Sequence, residues 1–134
     1  MNWSNNIDIS TFNNAYETYK KHFKNKYSKT LSFMNFYKQT LTAKYKYYTI
    51  KELKNMDIKN LNYDRLKKDI NETYKDEPRG KDDIKSIKYS INNIVSPICI
   101  MKINSQYILL DGMHRIVASN ILDSKVCVCL ISVK

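Results

Sequence analysis

Apolar residues early in the chain recur at helical steps. Phe12, Ala15, Tyr19, Phe23 and Tyr27 follow one another at intervals of three and four, the spacing of one helix face. Ser10 stands where a hydroxyl can cap that helix. Leu31, Met34, Tyr37, Leu41, Tyr45 and Tyr48 repeat the pattern, with Thr30 as the expected cap. Tyr47 to Leu53 reads either as a short strand or as a helix start, because Thr49-x-x-Glu52 fits a capping box. Asn62 to Tyr74 reads as helical, with Leu66, Ile70 and Tyr74 aligned. Asp76-Glu77-Pro78-Arg79-Gly80 is a loop by its Pro and Gly.

The second half is more sharply patterned. Asp82 or Asp83 is expected to cap a helix that turns Ile84, Ile87, Ile91 and Ile94 inward. Ser86 and Ser90, four apart, share a face of it. Pro97 opens a strand over Ile98 to Ile103, and Asn104-Ser105 turns it back into Tyr107 to Leu110. Asp111-Gly112 stops that run, and a helix follows over Met113 to Leu122. Val126 to Val133 is a continuous apolar strand, expected to be buried on both faces. The pattern predicts a domain of helices followed by alternating helices and strands.

The length of 134 residues suits such a domain and buries a core without staples. Lys+Arg 23 against Asp+Glu 13 gives a net charge of +10. The excess is uneven: residues 1–48 hold eight Lys against Asp8 and Glu17, so +6, which leaves +4 for residues 49–134. Such a balance suits nucleic acid, nucleotides or an anionic surface. The abundance of Asn, Lys, Ile and Tyr, with only two Gly and two Pro, also marks an AT-rich genome, which supplies Lys without functional pressure. Lys20, Lys21, Lys24, Lys26, Lys38 and Lys44 flank the two tyrosine stripes. One reading sets lysines on phosphates and tyrosines on bases. The other packs the tyrosines on the core and leaves the lysines in water; regular helical spacing favours that one.

Cys99, Cys127 and Cys129 sit in strand-like runs at a spacing that fits neither a redox pair nor a zinc knuckle, so buried reduced thiols are expected. His22 has no partner at metal spacing. No secretory signal opens the chain and no apolar stretch approaches the ~20 residues of a membrane helix. A soluble protein of the cytoplasm, without a membrane partner, is the expectation.

The densest chemistry lies in Asp111-Gly112-Met113-His114-Arg115. A strand that turns through Gly into a helix leaves backbone N–H groups unpaired at the helix start, where the dipole adds positive charge. His114 and Arg115 add side-chain donors, and together these make a phosphate cradle. Asp111 has two readings: an Asx-turn residue that starts the helix, or a carboxylate that orients Mg²⁺ or a substrate hydroxyl. Arg115 likewise reads as a bidentate phosphate donor or as one half of a salt bridge to Asp111 or Asp83.

The order helix with Ser90-Ile91, Ser96-Pro97 and strand, strand, Asp-Gly-x-His-Arg, helix, strand resembles the ParB/sulfiredoxin superfamily. The match covers residues 82–134 well and 47–81 loosely; residues 1–46 lie outside it. The resemblance implies a small α/β (α+β) domain with a mixed sheet over residues 47–134, preceded by a helical extension over 1–46, and a signature loop that binds nucleotide phosphates. Gly112, Met113, His114 and Arg115 would hold those phosphates, the first two through backbone N–H groups, with Ser86 and Ser90 on the helix facing the nucleotide. Arg79 would match a phosphate-side arginine, with Arg65 as its rival. Glu52 and Asp57 lie where serine-kinase relatives keep an acidic residue. Sulfiredoxins place a catalytic Cys where this chain has Met113, which excludes their sulfinic-acid chemistry. ParB partition proteins bind CTP through a Gly-Glu-Arg-Arg version and add a helix-turn-helix domain that this sequence lacks. Free-serine kinases carry a loop close to this one. The implied function is thus an ATP- or ADP-dependent phosphotransferase with Mg²⁺, acting on a small hydroxyl substrate, with Asp111, His114 and Arg115 catalytic and Asp111 at the metal. The alternatives are a DNA- or RNA-binding or ParB-like nuclease module, and a nucleotide-responsive scaffold without turnover.

Overall fold

The computed structural model describes residues 1–23 and 31–133. Its elements run β1 (Asn2–Trp3), α1 (Ile9–Phe23), α2 (Phe33–Leu41), β2 (Lys44–Tyr48), α3 (Ile50–Asn55), β3 (Ile58–Lys59), a 3-10 turn (Tyr63–Arg65), α4 (Ile70–Tyr74), α5 (Gly80–Asn92), β4 (Ile94–Val95), β5 (Ile98–Ile103), β6 (Gln106–Asp111), α6 (Met113–Leu122) and β7 (Val126–Val133). The expected α/β class with a mixed sheet is the class observed. Five strands lie in the order β2-β7-β5-β6-β3, with antiparallel, parallel, antiparallel and parallel pairings in turn. β1 and β4 pair separately, in parallel.

Two apolar layers sandwich this sheet. On one face Leu53, Ile87, Ile116 and Val117, from α3, α5 and α6, pack on Ile98, Ile100, Leu109, Val126 and Val128. On the other, Phe12, Ala15, Tyr19, Phe23 and Phe36, from α1 and α2, pack on Cys99, Met101, Leu110, Cys129 and Ile131. Alternate residues of β7 therefore feed opposite layers, which is why that strand is apolar up to the exposed Ser132 near its end. Helices from residues 1–46 thus supply one of the two layers. Cys99, Cys127 and Cys129 are buried free thiols. No helix of the described residues is long and apolar enough to cross a membrane.

The α5-to-β7 half follows its sequence pattern closely. The β5–β6 hairpin turns on Asn104 and Ser105, at φ 49° and 66°, left-handed values that suit a tight two-residue turn between twisted strands. α5 begins at Gly80, ahead of the expected Asp82 or Asp83 cap; Arg79 precedes it without a side-chain cap bond, and both aspartates lie in the first turn, where the dipole favours them. Ile87 is fully buried, but Ile94 is 70% exposed, because it has left the helix for β4.

The first half departs more often. Asp8 caps α1 instead of Ser10: its Oδ1 accepts from Thr11 N–H at 2.8 Å. Thr30, Tyr27, Lys24 and Lys26 lie outside the described residues. Ser32 caps α2, accepting from Asn35 N–H. That helix turns Phe36 and Thr40 inward and leaves Met34, Tyr37 and Leu41 exposed, opposite to the expected stripe. The reason is tertiary: Phe36 fills an aromatic cluster under α1, with ring centroids 5.2 Å from Tyr19 and 5.6 Å from Phe12. Tyr45 and Tyr48 belong to β2, not to that helix. Both readings near Thr49 hold in part, since β2 ends at Tyr48 and the Thr49–Glu52 capping box then starts α3. Asn62 to Tyr74 breaks into the 3-10 turn and α4, which Asp69 caps.

Candidate functional site

Four elements meet where β6 passes into α6. Gly112 makes the junction at φ 128°, and a Cβ there would lie 2.3 Å from Ile98 Cγ2, so only glycine fits both the dihedral and the space. No side chain caps α6; the first helical bond runs from Ile116 N–H to the Gly112 carbonyl at 3.0 Å. The N–H groups of Met113, His114 and Arg115 therefore precede the helical ladder. The Asx-turn role for Asp111 is overturned, since its carboxylate takes a different partner, one turn along α6.

That partner is Arg115. Its Nη2 donates to Asp111 Oδ2 at 2.8 Å. Its Nη1 donates to the Ser96 carbonyl at 2.8 Å, the Pro97 carbonyl at 3.2 Å and Thr11 Oγ1 at 3.0 Å. The guanidinium is only 13% exposed and ties α1, the β4–β5 corner and the end of β6 together. The salt-bridge reading of Arg115 is thus the observed one. Its phosphate role has to share a guanidinium already bonded to four groups.

A cleft of about 530 Å³ opens beside this corner. Asp111, His114, Arg115, Ser86 and Ser90 all line it, so the structure brings together five of the residues singled out from the sequence. His114 Nε2 lies 2.8 Å from Asp83 Oδ1, which links α6 to α5. Ser90 Oγ donates to the Ser86 carbonyl at 3.1 Å along α5. Burial pushes the Asp111 carboxyl above the usual aspartate range; the Arg115 ion pair and a bond with Asn14 pull it down, and the charge of Asp8 adds to the rise.

The other expected residues fall elsewhere. Arg79 is 83% exposed beside Asp82 and lines a separate recess with Pro78 and Gly80. Gly112 and Met113, expected to act through backbone N–H groups, stay at the β6–α6 junction; Gly112 is buried against Ile98 and the Met113 side chain packs at the margin of the first core layer. Arg65 holds Glu77 at 2.6 Å and lies over the Tyr74 ring, a packing role. Glu52 closes the capping box, and Asp57 occupies an exposed left-handed turn at φ 53°.

Sequence reading missed Asp8, Thr11 and Asn14, which α1 carries to the same cleft. Asp8-x-x-Thr11 is a legible cap signature, but nothing local says that this helix start meets β6, more than ninety positions away. The Asp8 backbone N–H is fixed there by Ser96 Oγ at 3.0 Å, just beyond the β1–β4 pairing.

Among the described residues no group of three or more His, Cys, Asp or Glu is placed to hold a metal. Asp8 and Asp111 form a pair of hard oxygen donors, and Mg²⁺ takes one or two carboxylates with the remainder from phosphates and water. The hydroxyls of Thr11, Ser86 and Ser90 and the helix-start N–H groups suit phosphate oxygens. The residues present therefore fit a magnesium nucleotide. Comparison with family models, curated proteins and solved structures finds no match to this chain.

Proposed function

We propose that the cleft is the nucleotide site of a ParB/sulfiredoxin-like phosphotransferase, which moves a phosphoryl group from ATP or ADP to a small hydroxyl compound. The observation that carries this reading is convergence: Ser86, Ser90, Asp111, His114 and Arg115, chosen from sequence for phosphate chemistry, line one cleft at the starts of α1 and α6. His114 and the N–H groups of the first turn of α6 would hold phosphate oxygens, with Ser86 and Ser90 opposite on α5. Asp111 and Asp8 would hold Mg²⁺, which when bound supplies charge neutralisation to the phosphates. Arg115 acts mainly as a positioning residue: its four bonds keep Asp111, Thr11 and the Ser96-Pro97 backbone in place. The protein's contribution is then positioning and electrostatics, the main demands of phosphoryl transfer.

A panel of ATP, ADP, CTP and GTP, each with and without Mg²⁺, tests this by calorimetry and product analysis. Mg²⁺-dependent binding of an adenine nucleotide, lost in Asp111→Asn and weakened in His114→Gln, is the expected result. Binding that both variants leave unchanged would remove the site assignment. Tight binding without any product would leave a nucleotide-responsive scaffold, and preference for CTP would move the chain toward the partition proteins.

A further inference from the structure

The opposite end of the sheet carries a second feature. In the β5–β6 ladder Cys99 faces Asp111 at one end and Lys102 faces Tyr107 at the other. On the face that α3, α5 and α6 cover, the apolar layer includes Ile100, Val128 and Leu109. Beyond it β2 contributes Lys44, Lys46 and Tyr48, alternate residues and hence one face of the strand. Lys102, Tyr107 and Ser132 complete a shallow recess of about 340 Å³ with no carboxylate in its lining.

Lys44, Lys46 and Lys102 are exposed, and among the described residues none of them makes an ion pair. Two rest instead near aromatic rings: Lys46 Nζ lies 5.8 Å from the Tyr48 centroid and Lys102 Nζ 5.7 Å from that of Tyr107. Glu52, whose carboxyl feels the Lys46 charge, is held by Thr49 in the capping box and stays outside the recess. Three ammonium groups without an ion pair among the described residues, set among two half-buried tyrosine rings on an exposed sheet face, form a recurrent pattern. The charges track a phosphate backbone and the rings stack on unpaired bases. The Asp111 cleft differs in holding carboxylates: Asp8 and Asp111 line it beside Lys85, and Arg115 and His114 bond to Asp111 and Asp83.

We propose that this sheet face binds single-stranded nucleic acid, with Lys44, Lys46 and Lys102 on consecutive phosphates and Tyr48 and Tyr107 as the stacking platform. α2 reaches the recess only through Gln39 and its cap Thr42, and Lys20, Lys21 and Lys38 of α1 and α2 do not line it. Charge complementarity selects a polyanion, and the ring pair selects one with exposed bases; a duplex offers the charge alone.

The test is fluorescence anisotropy of the full chain with labelled oligothymidylate and oligouridylate strands of about 20 nucleotides, beside a duplex of equal length. The salt series runs from about 50 to 200 mM KCl. Either strand is expected to bind more tightly than the duplex, and the tighter of the two tells DNA from RNA. Lys44→Gln/Lys46→Gln/Lys102→Gln should weaken binding by about tenfold or more and flatten the log–log salt slope by about 2, at ~0.7 for each phosphate no longer neutralised. Tyr107→Leu, which keeps the packing, should weaken it several-fold without changing the slope. Lys20→Gln/Lys21→Gln/Lys38→Gln removes the same charge from α1 and α2 and should leave binding nearly intact. Equal loss in both triple variants, duplex binding as tight as strand binding, or no binding to either strand at the lowest salt would overturn the assignment.

Discussion

The two ends of the sheet treat charge in opposite ways. At the Asp111 end Arg115 bonds to Asp111, Thr11 and two carbonyls and His114 to Asp83, while Lys85, in the same cleft, makes no ion pair among the described residues. At the Lys102 end three lysines face water with no carboxylate among them. The difference follows from covering. The starts of α1, α5 and α6 close over the first end, so a charge there loses solvent and has to be matched. Of α2 only Gln39 and the cap residue Thr42 reach the recess at the second end, and its lysines stay exposed, so they cost little there. Stability should therefore respond more to substitution at the first end than at the second.

Arg115→Ala should show the largest effect. It removes four hydrogen bonds and leaves Asp111 mostly buried without its counter-charge, a loss of about 3–5 kcal/mol read by urea unfolding. A loss below about 1 kcal/mol would mean that the corner is solvated and the contrast between the ends is false. Gly112→Ala should follow at about 2–4 kcal/mol, from a methyl placed against Ile98 and a left-handed φ denied to alanine. His114→Gln should cost no more than about 1 kcal/mol, because the pair with Asp83 is partly open to water, 40% and 26% exposed. The triple lysine-to-glutamine variant should change stability by no more than about 0.5 kcal/mol. A larger destabilisation would show that those lysines already have a role in the fold.

Asp111 adds a pH signature at the covered end. Its folded-state affinity for a proton is raised, chiefly by burial. The unfolded carboxyl therefore ionises first as pH rises, and above the ordinary aspartate value ionisation favours the unfolded chain. This contribution to stability is largest in acid and falls until pH exceeds the raised native value. Urea midpoints measured across that window should decline less steeply in Asp111→Asn than in the parent. A parent curve that rises relative to the variant would mean that the Arg115 ion pair outweighs burial, and parallel curves that the two cancel. Nucleotide with Mg²⁺ should also flatten the decline, because a bound cation favours the ionised form.

Much of the α5-to-β7 half was legible in advance because its signals are short-range. The Asn104-Ser105 turn, the Asp111-Gly112 stop and the apolar run from Val126 to Ile131 each state their structure within a few residues. α2 was misread because Phe33, Met34, Phe36, Tyr37 and Leu41 offer more than one apolar stripe, and only the pocket under α1 decides which turns inward. The candidate cleft was half legible. Its β6–α6 loop and its serines carry local motifs, whereas Asp8, Thr11 and Asn14 reach it through long-range packing that leaves no mark of its own. Arg79, placed beside the phosphates by motif order alone, sits on the far side of α5's first turn with Asp82.

By itself the sequence determined which segments become strands and helices in the second half, where the Asp111-Gly112 stop falls and that three thiols stay buried. Each of these depends on propensities, dihedral limits and apolar runs that act over a few residues. Tertiary structure alone decided that the basic N-terminal helices form a layer of the core, that Arg115 locks a corner, and that Lys44, Lys46 and Lys102 gather on one open face. Those outcomes depend on which distant surfaces become neighbours. Pairing β7 between β2 and β5 brings residues 44 and 102 together, and no local pattern in either segment encodes that adjacency.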